Sequence, residues 1–491
     1  ISSVDKRIYC SGSACGSDAD LQNPDNQWCY ERSMQSKHWI LFWEAGYGKT
    51  APSSVESILN TADKIFEFYA DSLKYLTINQ GKSKTDTYKM IIRLRHTDEW
   101  EASGSGIDNI IGLLTLSRWA YTSRDGQTVA HEIGHCFQYQ THCDNNNQNG
   151  WMYTWANSGN GNVFWEMCAQ WQAYKFYPGM QFNNEWLNNT LNGFHKNPLA
   201  EELRYNNYFI QDFFCHKQGI DALANLWNKS QNPEDPFQTY MRLYMSSKLT
   251  SAQKLEQFNN EMWEYGARLT TFDMDGIRER GAGTIGKRQQ TQLTKDADGY
   301  WCSVAADCVE NFGNNAIRLN VPTTDKTIYV DFAGEAGKSG FIKYNVTKAG
   351  WKLGFVALKK DGTRLYGDVA TATYKNPEAS IQFDCPSDCS YLWLVVSGAP
   401  TSYWSRGWNG TTSDDEQWPY KVKFYQTNVY GNANNNEVPP GISTITMGAE
   451  NRGVNNNNVY TISGQLVRQG STSLEGLPKG IYIVGGKKVV K

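Results

Sequence analysis

The feature that most limits the possible folds is a change of texture near residue 290. Before it, apolar residues recur at helical spacing over long stretches; after it, short apolar runs follow one another with no helix between them. In the first half Val55, Ile58, Leu59, Ala62, Ile65 and Phe66 begin one face of a helix predicted over 53–76, with Ser53 or Ser54 as its cap. Residues 39–43 and 88–94 read as strands on either side of it, and 104–117 as a further strand or strand pair. Helices are then expected over 127–140, 163–177, 203–217, 220–228, 237–246 and 252–267. Residues 1–285 are therefore expected to form an α+β domain whose second half is mostly helical.

Residues 281–298 are polar and read as a linker. Strands are expected at 327–332, 341–346, 353–358, 379–383, 391–396 and 420–424, with a hairpin turn at Lys360-Asp361-Gly362, which implies an antiparallel β-sandwich over 299–427. An Asn- and Gly-rich stretch, 428–458, leads to a small β module over 457–491. Its Tyr460 strand, Ser463-Gly464-Gln465 turn and Lys479-Gly480-Ile481-Tyr482 strand resemble the C-terminal sorting modules of proteins secreted by Bacteroidetes-type bacteria. That resemblance implies a location at the cell surface or in the medium.

The chain has 491 residues, enough for two or three domains. With 47 Lys plus Arg against 50 Asp plus Glu, its net charge of -3 offers no basic field for nucleic acid. It also has no apolar run of about 18 residues, so no transmembrane segment is expected. Eleven cysteines, with Cys302 near Cys308 and Cys385 near Cys389, favour an oxidising compartment in which disulfides staple loops; Cys10, Cys15 and Cys29 are candidates for another bridge. Cys136, Cys168 and Cys215 fall in helical patterns, where buried reduced thiols are equally consistent.

Within the 127–140 helix stand His131, Glu132 and His135. Residues four apart share a helix face, so the two imidazoles converge on a point where one metal ion fits. Glu132, about 100° further round, is placed to act as a general base on water. The flanking Thr128, Val129, Ala130, Ile133, Gly134, Cys136 and Phe137 are uncharged, unlike a solvated helix that carries two His and a Glu by accident.

The run Thr128-Val129-Ala130-His131-Glu132-Ile133-Gly134-His135 resembles the active-site helix of the zincin metallopeptidases. The resemblance implies a catalytic zinc held by His131 and His135, with Glu132 as base. The metzincin branch wants Gly and then His or Asp three and six residues after the second His; Gln138 and Thr141 stand there, and His142 falls one residue late. The gluzincin branch takes a Glu from a later helix, and Glu166, the one carboxylate in the apolar segment 163–171, is its candidate. Asp144 and Glu185 are the weaker alternatives. Several gluzincins carry an acid one turn after this ligand; here it is Gln170. The run 131–138 looks most like the enhancin-like, mucin-directed gluzincins.

This reading implies a secreted zinc endopeptidase acting on extracellular proteins or glycoproteins. An oxyanion donor is expected among His195, Tyr205, Tyr208 and His216, and the strand at 112–116 is a candidate for binding substrate backbone. Tyr403, Trp404, Trp408 and Trp418 either pack the ends of the sandwich or stack on sugars. The rival expectation is a non-catalytic surface protein that binds glycan or protein, with a structural or vestigial metal site.

Overall fold

The computed structural model describes residues 6–11, 15–146, 162–406, 410–440, 458–461, 466–478, 481–484 and 487–491. The chain divides into two compact units, 1–438 and 439–491.

After a short helix, α1 (Asp18–Gln22), the first unit builds a five-stranded sheet from β1 (Ser33–Gln35), β2 (Trp39–Trp43), β3 (Met90–Arg95), β4 (Ala102–Ile107) and β5 (Ile111–Ser117). Their order is β1-β2-β3-β5-β4. The central strands β2, β3 and β5 run parallel, whereas β1 and β4 are antiparallel edges. Strand β2 is buried at every residue, the pattern of a parallel strand covered on both faces. Helix α2 (Val55–Glu67) connects β2 to β3 and buries Val55, Ile58, Leu59, Ala62, Ile65 and Phe66. It ends earlier than its apolar pattern predicts: the chain loosens into a π-turn over Phe68–Ser72, and Leu73, Tyr75 and Leu76 are buried outside the helix. Residues 104–117 form a strand pair, because Asp108 and Asn109 turn the chain in left-handed conformations between β4 and β5.

Helix α3 (Gln127–Asp144) exposes little more than Glu132, His142 and Asp144, because β4 and β5 cover one side and α4 (Asn162–Phe176) another. The helical layer continues through α5 (Leu187–Asn192), α6 (Phe209–Gln218), α7 (Ala222–Lys229), α8 (Pro236–Tyr244) and α9 (Ser251–Leu269). Capping boxes at Asp235/Gln238 and Thr250/Gln253 start α8 and α9. The helix predicted over 203–217 begins only at Phe209; a single 3-10 turn covers Glu201–Leu203, so Tyr205 lies in a connection.

The sandwich consists of β6 (Leu293–Lys295), β7 (Trp301–Ser303), β8 (Asn314–Arg318), β9 (Lys326–Gly334), β10 (Gly350–Lys359), β11 (Arg364–Tyr366), β12 (Ala370–Thr373), β13 (Glu378–Cys385), β14 (Cys389–Gly398) and β15 (Tyr420–Tyr425). One sheet runs β11-β10-β14-β8, with β12 also on β10; the other runs β13-β9-β15-β7-β6. Val330, Phe332, Leu353, Phe355, Leu394 and Trp418 meet between them. Two expectations are corrected. Residues 341–346 form no strand but turn into a 3-10 segment at Val346–Lys348, and the polar stretch 281–298 contributes β6, which pairs with β7. The Lys360-Asp361-Gly362 turn does join β10 to β11, with Gly362 at φ +89°.

Helix α9 packs Trp263 and Ala267 onto the outer face of the first sheet, against Val356, Leu358, Trp393 and Val395, and the Trp263 indole donates to the Val395 carbonyl at 3.1 Å. Apolar cover on both faces explains why β10 is buried at every residue but the last. The sulfurs of all eleven cysteines are unbonded, so the expected bridges at Cys302/Cys308 and Cys385/Cys389 are absent. Cys302 instead faces Asp296, and the Cys385 thiol donates to the Pro386 carbonyl. No helix among the described residues is long and apolar enough to cross a membrane.

The second unit holds a four-stranded antiparallel sheet, β17-β16-β18-β19, from β16 (Val459–Thr461), β17 (Leu466–Arg468), β18 (Ile481–Val484) and β19 (Lys487–Val490). The Ser463-Gly464-Gln465 turn and Lys479-Gly480 lie outside the described residues.

Candidate metal centre

One turn of α3 sets His131 and His135 on a common face, their rings 4.7 Å apart and nearly perpendicular. From α4, Glu166 reaches both: its Oε2 lies 3.0 Å from His131 Nε2 and 3.2 Å from His135 Nε2, and the two Nε2 atoms are 3.0 Å apart. The Glu132 carboxylate and the two imidazoles also form a group whose ligand atoms lie within 4.8 Å of one another, but Glu166 makes the shorter contacts to both Nε2 atoms.

The opposite side of each ring determines what the triangle can bind. His131 Nδ1 is 3.0 Å from Gln170 Oε1, and His135 Nδ1 is 3.1 Å from Gln138 Oε1. Both glutamines are oriented by their own NH2 groups: Gln170 donates to the Tyr205 carbonyl, and Gln138 to the Trp165 carbonyl and to Gln172. With an acceptor at each Nδ1, the neutral ring carries its proton there and presents a lone pair at Nε2. Two imidazole lone pairs and a carboxylate oxygen thus face one another, and a cation between them satisfies all three. Their spacing is close to the ~3.3 Å edge of a tetrahedron with bonds of about 2.0 Å. The residues present fit a metal ion.

The carboxylate and the imidazoles also polarise one another. Burial opposes charge on both partners, yet Glu166 holds His135 above its usual pKa, and the two imidazoles hold Glu166 well below the usual carboxylate range. A carboxylate this enclosed is destabilising by several kcal/mol unless a positive group compensates it.

Glu132 leaves the triangle and points to the sheet edge, where its Oε2 accepts from the Gly104 N–H at 2.8 Å. That contact needs β4 to lie against α3. A Cβ on Gly104 would stand 1.8 Å from the Glu132 carbonyl oxygen, and one on Gly106 would stand 1.9 Å from the Tyr139 ring. The Ser-Gly-Ser-Gly composition of β4 is what allows the approach.

These groups line a cleft of about 570 Å³, walled by Trp100, Trp165, Trp186, Tyr205 and Arg124. Arg124 and Asp125 both hold φ +50°, directly before α3. Two such residues store on the order of 1–3 kcal/mol each, the kind of strain that collects at functional sites. The Arg124 guanidinium lies 4.8 Å from the Trp186 ring centroid and pairs with Glu185.

The other sequence candidates separate clearly. Of the four oxyanion candidates, Tyr205 lines the cleft, with its ring 6.1 Å from that of His131. Tyr208 is buried with its hydroxyl toward the Gln181 carbonyl, and His216 pairs with Asp275. His195 sits in a different pocket, where burial pushes its pKa down to about 4. Asp144 accepts from the Lys84 N–H at the far end of α3, and Glu185 is bound to Arg124. In the sandwich Trp418 is fully buried and Tyr403 is bonded to Asp235. Trp404 packs edge-on against Trp418, and Trp408 lies outside the described residues. Gln138, Gly104 and Arg124 were not singled out from sequence for these roles; only the glycines of β4 gave a local signal.

Comparison with solved structures gives distant likenesses. The xylan-binding domain described as "from CBM 22, formally x6b domain" is 14% identical, with 29% of this chain and 83% of that one covered at a TM-score of 0.17. A functionally unknown conserved protein, a mutant from Bacillus anthracis str. Ames, is 13% identical, with 54% of this chain and 52% of that one covered at a TM-score of 0.26. Neither score supports an argument about fold or function. No curated protein matches the sequence. Residues 2–431 match the family described as "Family of unknown function (DUF6055)", and the chain belongs to that family.

Proposed function

We propose that this DUF6055 chain is a secreted zinc-dependent endopeptidase of the gluzincin type, acting on extracellular proteins or glycoproteins. The observation that carries the reading is the convergence of His131 Nε2, His135 Nε2 and Glu166 Oε2 within 3.2 Å, with both Nδ1 atoms tied to glutamine oxygens and Glu132 beside them. Two His and one carboxylate around an accessible cleft is a recurrent ligand set of catalytic zinc. When bound, the ion supplies Lewis acidity toward water and toward the substrate carbonyl.

The chain supplies the rest. Glu132, oriented by the Gly104 N–H, takes a proton from the attacking water and delivers it to the departing amine. Tyr205, which lines the cleft, is the donor we assign to the developing oxyanion. Strand β4 has β5 on one side only, so its outer edge, apart from the Gly104 N–H held by Glu132, offers backbone groups to an extended peptide by strand addition. The sequence expectation placed this role on 112–116, but β5 is internal to the sheet and β4 is the strand at the cleft.

The test is Glu132→Gln, assayed on a peptide library and a mucin-type glycoprotein. The proposal expects turnover to fall by about 10²–10⁴ while the metal content is unchanged. No turnover by either form, with partner binding retained, would instead support a surface binding protein with a structural metal.

A further inference from the structure

Just past the end of α9, where its cover of the sandwich stops, a second pocket of about 370 Å³ opens at the β8 edge of the first sheet. Arg318 of β8 dominates it. Its guanidinium lies 4.7 Å from the Tyr391 ring centroid and 3.8 Å from that of Tyr430, and Tyr391 in turn stacks on Trp393 at 5.1 Å with the planes 2° apart. The Tyr430 N–H donates to the Arg318 carbonyl at 2.9 Å, which fixes the loop so that the ring covers the guanidinium. Tyr430 is nonetheless 53% exposed, an unusual position for a ring held so firmly.

Among the described residues, the Arg318 guanidinium donates to no acceptor and pairs with no carboxylate. The second arginine of the pocket, Arg288, differs: it donates to the side chain and the carbonyl of Asn314. No Asp or Glu lines the pocket, whereas the exposed amides of Gln289 and Gln290 do. A planar cation clamped against aromatic rings, with its N–H edge unanswered, is prepared for bidentate binding of an oxyanion. The pocket is too large for a bare anion and lies in the lower range of small-molecule sites, about 300–1,000 Å³. The free face of Tyr430 is an apolar plane of the size of a pyranose ring, and the amides suit hydroxyl groups.

We propose that this pocket binds an acidic sugar unit, a uronate or sialate of a glycan, with its carboxylate on Arg318 and its ring against Tyr430. The inference goes beyond the metal centre and does not depend on it: the two sites share no residue. If both hold, the substrate is an acidic glycoprotein.

The test is calorimetric titration of the full chain with sialyllactose and with trigalacturonate, against lactose and inorganic phosphate as controls. One acidic sugar is expected to bind at least about tenfold more tightly than lactose or phosphate. Arg318→Lys, which keeps the charge and loses the planar fork, and Tyr430→Ala, at an exposed position, are each expected to weaken it about tenfold or more. Glu132→Gln is expected to bind as the parent does. Which acidic sugar wins separates the two sources. Failure of both to bind, equal binding of lactose, equal binding of phosphate, or unchanged affinity in both variants overturns the proposal, whatever the outcome of the cleavage assay. Melting curves of the variants establish that each is folded.

Discussion

Gln170 Oε1 stands 3.0 Å from His131 Nδ1, while the same side chain accepts from Gln127 and donates to the Tyr205 carbonyl. A neutral amide thus occupies the place where several gluzincins carry an acid, and it fixes the ring orientation through geometry more than through charge. Replacing it by alanine frees the ring and leaves Gln127 Nε2 without its acceptor. Gln170→Ala is expected to lower metal affinity by about 10–100-fold, measured by competition with a chromogenic chelator. Unchanged affinity would mean that Gln170 only packs.

The Gly104 approach to α3 yields a prediction about the base. In Gly104→Ala the new Cβ meets the Glu132 carbonyl oxygen at 1.8 Å, so β4 must move away and Glu132 loses its backbone anchor. A displacement of about 1 Å is enough to reduce turnover by roughly 10²-fold; the same Cβ would stand 2.8 Å from His135 Cβ, so β4 moves away from α3 as a whole, and metal content is expected to stay near that of the parent once it has. Peptidase assays alongside zinc determination check both halves.

A separate pH effect is built into the junction between the helical half and the sandwich. Burial pushes the Glu310 carboxyl up to about 8 from its ordinary 4.5, with Glu416 and Asp415 adding to the effect and Arg406 opposing it. Glu310 also accepts from the Asn197 N–H at 2.8 Å. Between those two values the folded chain holds a proton that the unfolded chain has released, so this contribution to stability is complete below pH 4.5 and is lost as the pH rises through about 8. Urea midpoints at about pH 5 and about pH 8.5 should show a smaller decline in Glu310→Gln than in the parent. An identical decline would remove Glu310 as its cause.

The arrangement of the candidate metal centre was partly legible in the sequence because it depends on local periodicity. Spacing alone sets His131 and His135 on one helix face, and a single carboxylate in an apolar helix marks Glu166. The groups that complete the site come from distant segments. Gly104 meets Glu132 across a strand-helix contact, and Tyr205 is distinguished from Tyr208 by the late start of α6 at Phe209, which buries Tyr208 at its N-cap and leaves Tyr205 in the connection, a boundary no apolar pattern reveals. In the sandwich, helical cover by α9 and the position of strand edges decide which aromatics are exposed. Trp418 is therefore core, and Tyr430, inside a segment read as linker, is half-exposed on a pocket. Strand β8 was missed for a related reason: Asn314 and Asn315 are buried through hydrogen bonds, which hydrophobic patterning does not register.

The most direct test of the central claim is a crystal of the purified chain measured on both sides of the zinc absorption edge. The account predicts one anomalous peak bonded to His131 Nε2, His135 Nε2 and a Glu166 oxygen, at about 2.0–2.2 Å, and no such peak in Glu166→Ala. A zinc-loaded crystal with no peak there, or with the ion held by Glu132 in place of Glu166, would contradict it.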